Sequence, residues 1–181
     1  MKKSAEHIIY TIGHSTHSWE DFLFMLKSFD IRVLVDIRTF PGSRKFPQFD
    51  QGNMIKELPE NGIQYLHMKE LGGMRKPKKD SKNDRWRNTS FRGYADYTET
   101  TEFKNAIEKL KGIASANRTA YMCSEAVWWR CHRALVSDFL KVEGWNVQHI
   151  MATGKSQEHP YTSPAILADG EIYYSDRTLF D

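Results

Sequence analysis

The chain has 181 residues, 40% of them hydrophobic and 27% charged. That balance belongs to a globular domain long enough to bury a core without disulfides or metal, and it excludes bulk disorder, collagen-like repeats and coiled coils. Lys plus Arg is 26 and Asp plus Glu is 23, a net of +3, and no run approaches the roughly 18 apolar residues of a membrane span.

The elements follow in chain order. Ile8 to Ile12 is a short, β-rich apolar run ending at Gly13. Ser18 precedes Trp19, Phe22, Leu23 and Leu26, whose spacing predicts a capped helix. Ile31 to Ile37, with Val33, Leu34 and Val35 together, has the continuous apolar character of a buried parallel strand. Asp50 is placed to cap a short helix carrying Met54, Ile55 and Leu58, stopped near Pro59 and Asn61-Gly62. Ile63 to Met68 predicts a third strand, followed by an irregular segment to about Tyr94. Phe103, Ala106, Ile107, Leu110 and Ala114 mark an amphipathic helix starting near Thr100 or Thr101. Arg118 to Met122 is a fourth strand, Ala134, Leu135, Phe139 and Val142 mark a helix closed by Gly144, and Asn146 to Ile150 is a fifth strand. Asp169-Gly170, between Ile166-Leu167 and Ile172-Tyr173, signals a hairpin. This alternation predicts an α/β protein: an open, mostly parallel, doubly wound sheet of about five strands with a C-terminal β-hairpin, forming one domain over residues 1–181.

Charge is concentrated. Lys69 to Arg92 holds nine bases against three acids, a net of +6, while the remaining seventeen bases and twenty acids leave the rest at −3. Such a loop attracts polyanions or phosphate esters, and Trp86 and Phe91 within it have faces on which bases can stack. The polar Met1 to His7 has no apolar signal core, and the two cysteines, Cys123 and Cys131, form no disulfide framework, so a cytoplasmic location without membrane contact is expected.

In open α/β sheets ligands bind beyond the carboxyl ends of the strands. The chemistry of this sequence falls there. Gly13-His14-Ser15 follows the first strand; Asp36, Arg38, Ser43 and Arg44 follow the second; His67, Leu71-Gly72-Gly73 and Arg75 follow the third; Glu158-His159-Pro160 follows the fifth. The segment from Cys123 through Glu125 and Arg130 to Cys131-His132-Arg133 joins the fourth strand to a helix start, where free backbone N–H groups favour an anion. A cysteine-phosphatase loop needs an arginine six places after its cysteine, but that place holds Trp129. Cys123, Glu125, Cys131 and His132 lack the paired Cys-x-x-Cys spacing of a structural metal site, so no metal is expected. Gly13-His14-Ser15 lacks the further glycines of a dinucleotide or phosphate loop, and no cofactor is expected. Lys155 and His159 read as polar loop residues at the surface.

The ordered set Thr11-Ile12-Gly13-His14-Ser15, Val35-Asp36-Ile37-Arg38, Ser43-Arg44, Leu71-Gly72-Gly73, Gly93-Tyr94-Ala95-Asp96-Tyr97, Cys123-Ser124-Glu125, Cys131-His132-Arg133 and His159-Pro160 resembles the bacterial and archaeal domain-of-unknown-function 488 family, over about Ile8 to Tyr174. The resemblance implies a single α/β domain and one shared site. It assigns no reaction, and the basic run Lys76 to Arg87 is no part of the family pattern.

Together these readings point to an enzyme, a hydrolase or transferase, acting on a phosphorylated ligand such as a nucleotide or nucleic-acid end. Cys123, Glu125, His14 and Asp36 are the candidate catalytic groups, with Cys123 the nucleophile and the others transferring protons. Ser15, Arg38, Arg44, Tyr94, Asp96, Arg130, Cys131, His132 and Arg133 are the candidate ligand-binding residues. The rivals are a non-catalytic nucleic-acid-binding module using the loop 69–92, and a thiol redox sensor using Cys123 and Cys131.

Overall fold

The computed structural model describes residues 7–176, so the polar segment 1–6 lies outside the described residues. Five parallel strands, β1 (Ile8–Gly13), β2 (Val33–Asp36), β3 (Gln64–His67), β4 (Thr119–Cys123) and β5 (Asn146–Ala152), and a sixth, β6 (Lys155–Glu158), form one sheet in the order β3-β2-β4-β1-β5-β6. Only β6 runs antiparallel, returning from β5 through a turn at Gly154. The separate hairpin β7 (Ile166–Ala168) and β8 (Glu171–Tyr173) turns at Asp169 and Gly170, both at positive φ (52° and 78°), as a two-residue turn of the expected kind requires.

Alternation along each strand sends side chains to two cores. Tyr10, Ile12, Leu34 and Met122 meet α1 (Trp19–Lys27) and α2 (Gln51–Glu60) through Phe22, Leu26, Met54 and Leu58. Ile9, Val33, Val35 and Tyr121 meet α3 (Thr89–Thr98), α4 (Thr101–Ala116) and α5 (Arg133–Val142) through Tyr94, Phe103, Leu110 and Leu135. The helices start where the sequence signals them. Ser18, Asp50 and Thr100 each accept a backbone N–H of the first turn, from Asp21, Gly52 and Phe103.

Two elements depart from the sequence expectation. The segment to Tyr94 is not irregular throughout, because α3 begins at Thr89 with Asn88 as its cap. Lys155 is not in a loop either, since it opens the edge strand β6.

β1 and β4 lie side by side, yet their chains leave in opposite directions, β1 to α1 on one face and β4 to α5 on the other. Such a divergence opens a crevice beyond the strand ends. The ladder does not stop at the paired residues Gly13 and Cys123: His14 N–H donates to the Cys123 carbonyl (3.0 Å) and Ser15 N–H to that of Ser124 (2.9 Å). Residues 13–15 and 123–125 are therefore fixed against each other as the floor of the crevice. The approach is tight. A Cβ on Gly13 would lie 1.7 Å from the Glu125 carbonyl oxygen, so Gly13→Ala is expected to force these strand ends apart and cost about 3 kcal/mol. Urea unfolding of that variant measures the cost, and a loss within experimental error of zero contradicts the close packing.

Candidate functional site

A cavity of about 840 Å³ sits in this crevice, lined by the loops that follow β1 and β2 and by the end of β4. Of the residues singled out in the sequence, it gathers His14, Ser15, Arg38, Tyr94, Cys123, Glu125, Arg130, Cys131 and His132. Asp36, Arg44, Asp96 and Arg133 do not line it.

Asp36 lies beneath, fully buried. It accepts the Arg38 backbone N–H (3.0 Å), the Arg38 side chain through Nε (2.9 Å) and Nη2 (2.6 Å), and the Tyr65 hydroxyl (2.8 Å). A carboxylate so engaged holds Arg38 in one orientation. Arg38 sends Nη2 on to the Phe49 carbonyl (2.9 Å) and faces His14 Nε2 with Nη1 (3.4 Å). His14 donates from Nδ1 to the Ser15 carbonyl (2.9 Å) and stacks on Phe49 at 4.3 Å. Its Nε2 is thus the lone-pair nitrogen. Burial first, opposed by the Ser15 carbonyl and helped by the Arg38 charge, brings its pKa down to about 4. His14 is a neutral wall residue with both nitrogens engaged.

Arg44 is exposed on the loop after β2, outside the cavity, where Lys45 takes the lining position instead. Asp96 is buried on α3 and accepts the Lys78 N–H (2.7 Å), the Ser81 hydroxyl (2.6 Å) and the Asn83 amide (2.8 Å). It ties down the basic segment from outside the cavity lining. That segment uses several of its charges internally. Arg75 stacks on Tyr97 (3.6 Å), Arg85 bonds the Pro164 carbonyl and pairs with Asp176, Arg92 bonds the Trp86 carbonyl, and Lys78 pairs with Glu99. Trp86 stacks on Phe91 at 4.9 Å, and both pack against the core on the α3 side. Phe91 also reaches the cavity.

Arg133 is 1% exposed, below the floor. Its Nη2 donates to the Glu125 carbonyl (2.7 Å), the same oxygen that abuts Gly13, and its Nη1 donates to Thr11 Oγ1 (3.0 Å). Thr11 begins a buried chain that sequence reasoning missed. Thr11 Oγ1 meets His149 Nδ1 (2.7 Å), His149 Nε2 meets His159 Nδ1 (2.8 Å), and His159 Nε2 meets Asp138 Oδ1 (2.9 Å). Asp138 is an acceptor only, and it also receives Thr162 N–H, the Thr162 hydroxyl and the Tyr174 hydroxyl. With both imidazoles neutral, the donors run in one direction: Thr11 O–H to His149, His149 Nε2–H to His159, His159 Nε2–H to Asp138. His159 is fully buried, not at the surface. Trp128 covers the chain, stacked 4.7 Å from His149 and nearly parallel to it. No helical or strand periodicity signals such a network; only the Pro160 that follows His159 hints that the chain turns inward there.

The chemically reactive groups lie at the cavity floor. Cys123 ends β4 and Cys131-His132 leads into α5, so a seven-residue excursion brings the two thiols back together. His132 Nε2 donates to the Ile37 carbonyl (3.1 Å), which leaves Nδ1 with its lone pair facing Cys123 Sγ (3.9 Å) and Cys131 Sγ (3.7 Å). The Arg133 N–H points at Cys131 Sγ (3.5 Å). Cys123 is pushed up to about 12, by the hydrogen bond it shares with Cys131 and then by burial. Burial alone would raise Cys131 too, but that bond, the Arg133 charge and the Arg133 N–H bring it down to about 6. Gly73 passes close by: a Cβ there would lie 2.9 Å from His132 Nδ1. Above the floor, Glu125 and Arg130 are exposed on one wall, and Lys45, Phe40 and Phe46 stand on another.

A mostly parallel, doubly wound sheet whose polar residues converge beyond the ends of adjacent, diverging strands defines an open α/β fold with its site at the strand carboxyl edge. Residues 18–140 match the model of the Domain of unknown function DUF488, and the chain belongs to that family. The match is narrower than the sequence motifs implied. It begins after the Gly13-His14-Ser15 turn and ends before His149 and His159. No curated protein and no solved structure matches the chain. Among the described residues, no helix is long and apolar enough to cross a membrane.

Proposed function

We propose that the protein is an enzyme that takes a small phosphorylated ligand with a planar part, a nucleotide or a nucleic-acid end, into the cavity beyond β1, β2 and β4. The observation that carries this reading is the composition of one cavity. Lys45 and Arg130 are exposed in it with no ion-pair partner among the described residues, Phe40, Phe46 and Phe91 supply flat apolar faces, and two thiols and an imidazole stand at its floor. Cations fit a phosphate, rings fit a base, and the reacting atoms belong beside Cys123, Cys131 and His132. Glu125 is the exposed carboxyl available for proton transfer. Arg38 is already neutralised by Asp36 and acts as a fixed donor. The internal partners of Arg75, Lys78, Arg85 and Arg92 favour this cavity over the basic segment as the place of contact.

The reading predicts measurable binding of nucleoside phosphates and weaker binding of the corresponding nucleosides in titration calorimetry. Arg130→Ala and Lys45→Ala, both at exposed positions, are each expected to weaken the phosphate form about tenfold with little loss of stability. Equal affinity for nucleoside and nucleotide, or variants that bind as the parent does, would sink it.

A further inference from the structure

The two thiols and the imidazole at the cavity floor are arranged as electron-pair donors around one point. Cys123 Sγ, Cys131 Sγ and His132 Nδ1 all lie within 4.8 Å of one another, with sulfur–nitrogen distances of 3.9 and 3.7 Å. A tetrahedral zinc ion, at about 2.3 Å from sulfur and about 2.0 Å from nitrogen, sets sulfur–nitrogen separations of about 3.5 Å and a sulfur–sulfur separation of about 3.8 Å. The two sulfur–nitrogen separations need to close by only a few tenths of an ångström, and the two sulfurs lie within 4.8 Å of each other.

The surroundings match a ligand set as well. His132 is held by its other nitrogen to the Ile37 carbonyl, the outer contact that fixes the tautomer and ring orientation of metal-binding histidines. The Arg133 N–H points at Cys131 Sγ and stabilises charge on that sulfur. Cys123 is the last residue of β4, His132 is the N-cap of α5 and Cys131 immediately precedes it, so the donors sit at the junctions of the two elements, and Cys131 is buried. The absence of Cys-x-x-Cys spacing does not matter once β4 and α5 supply the geometry.

We propose that Cys123, Cys131 and His132 bind one zinc-class divalent cation, with three protein ligands and a fourth position open to the cavity. Two thiolates and one imidazole select a borderline-soft ion over magnesium or calcium. Three ligands with an open position is the arrangement of a catalytic rather than a structural zinc site. All three ligands line the same cavity as Glu125 and Arg130, so the open position faces any ligand held there. The assignment stands apart from which anion the cavity takes, because it concerns the three donors alone.

The test uses the reduced full chain, loaded with zinc or cobalt(II), desalted and assayed for metal content and visible absorption. The expected result is about one ion per chain, and for cobalt the d–d bands of a tetrahedral site together with thiolate charge transfer. His132→Ala and Cys131→Ser are each expected to weaken binding at least tenfold, with circular dichroism reporting whether they fold. Should either variant fail to fold, alkylation of the parent protein decides instead: a bound ion protects both cysteines from iodoacetamide, and a chelator exposes them. The proposal is overturned by a reduced chain that takes up no metal, by a cobalt spectrum without thiolate charge transfer, or by folded variants that retain the metal. It is likewise overturned by thiols that stay metal-free and close to a Cys123–Cys131 disulfide on mild oxidation. Nucleotide binding without metal uptake would refute this site and leave the cavity reading intact; metal uptake without nucleotide binding would do the reverse.

Discussion

Arg133→Met is expected to destabilise the protein by about 3 kcal/mol, one of the largest losses for any single replacement near the cavity. A buried acceptor, Thr11 Oγ1, and a part-buried one, the Glu125 carbonyl, lose their donor at once. Each orphaned buried acceptor costs about 1–3 kcal/mol. Part of that is offset. A buried guanidinium has its own desolvation cost, and Arg133 Nε lacks a hydrogen-bond partner among the described residues. Methionine occupies similar space, so the cavity term stays small. The loss of the two donors wins. The Glu125 carbonyl is pressed against Gly13, so the turn that holds Cys123 and Glu125 against His14 and Ser15 loosens with it. Urea unfolding gives the stability change, and faster alkylation of Cys123 reports the loosened floor. A variant within about 1 kcal/mol of the parent would mean that the network tolerates the missing donors. The sequence offered Arg133 as a candidate ligand-binding residue. In the fold it lies below the cavity floor, donating to the Glu125 carbonyl and Thr11 Oγ1.

Acid is expected to unfold the protein well before its carboxylates titrate. His149 is held down to about 2, by burial first, then by His159 and the Arg133 charge, and His14 down to about 4. In the unfolded chain both titrate near the ordinary value of 6.5. Both folded values are lowered, so below about pH 6.5 the unfolded state binds more protons and stability falls as pH falls. Above that range the two histidines add no pH dependence. Each contributes a slope of about 1.4 kcal/mol per pH unit, continuing to about pH 4 for His14 and lower for His149. Between about pH 7 and about pH 5 the pair removes about 4 kcal/mol, a large share of an ordinary domain's stability. Urea midpoints across that interval measure the slope. His149→Gln keeps an acceptor and a donor in the relay but cannot titrate, so its slope is expected to be about half the parent's. A parent midpoint that stays constant from about pH 7 to about pH 5 would contradict the assignment of neutral, buried histidines.

What was legible in the sequence follows from how each element is stabilised. The central strands β1, β2 and β4 are buried on both faces, so their apolar runs are continuous and β2 in particular stands out as Val33-Leu34-Val35. The caps at Ser18, Asp50 and Thr100 are local bonds between near neighbours, and near neighbours are visible in a sequence. β6 was invisible because Lys-Ser-Gln-Glu is exposed at every position, and its pairing with β5 is made by backbone atoms. α3 was obscured because its buried face carries Gly93, Asp96 and Thr98 beside Tyr94. Asp96 accepts from Lys78, Ser81 and Asn83 of the preceding segment, and the Thr98 hydroxyl donates to the Ala95 carbonyl.

The same division holds for the site. The chain by itself determined that histidine, arginine, cysteine and carboxylate would collect beyond the strand ends, because strand–helix alternation fixes which loops share an edge. Tertiary structure alone decided what each group does there. Charge type does not reveal whether Asp36 faces ligand or Arg38, whether Asp96 holds a loop, or whether His159 reaches Asp138. Those outcomes depend on which donors arrive from distant segments, and burial forces every such donor and acceptor to find its partner. Spacing argued against a metal. The return of α5 onto β4 places Cys131 and His132 beside Cys123 all the same, because a folded backbone, not sequence separation, sets the distance between ligands.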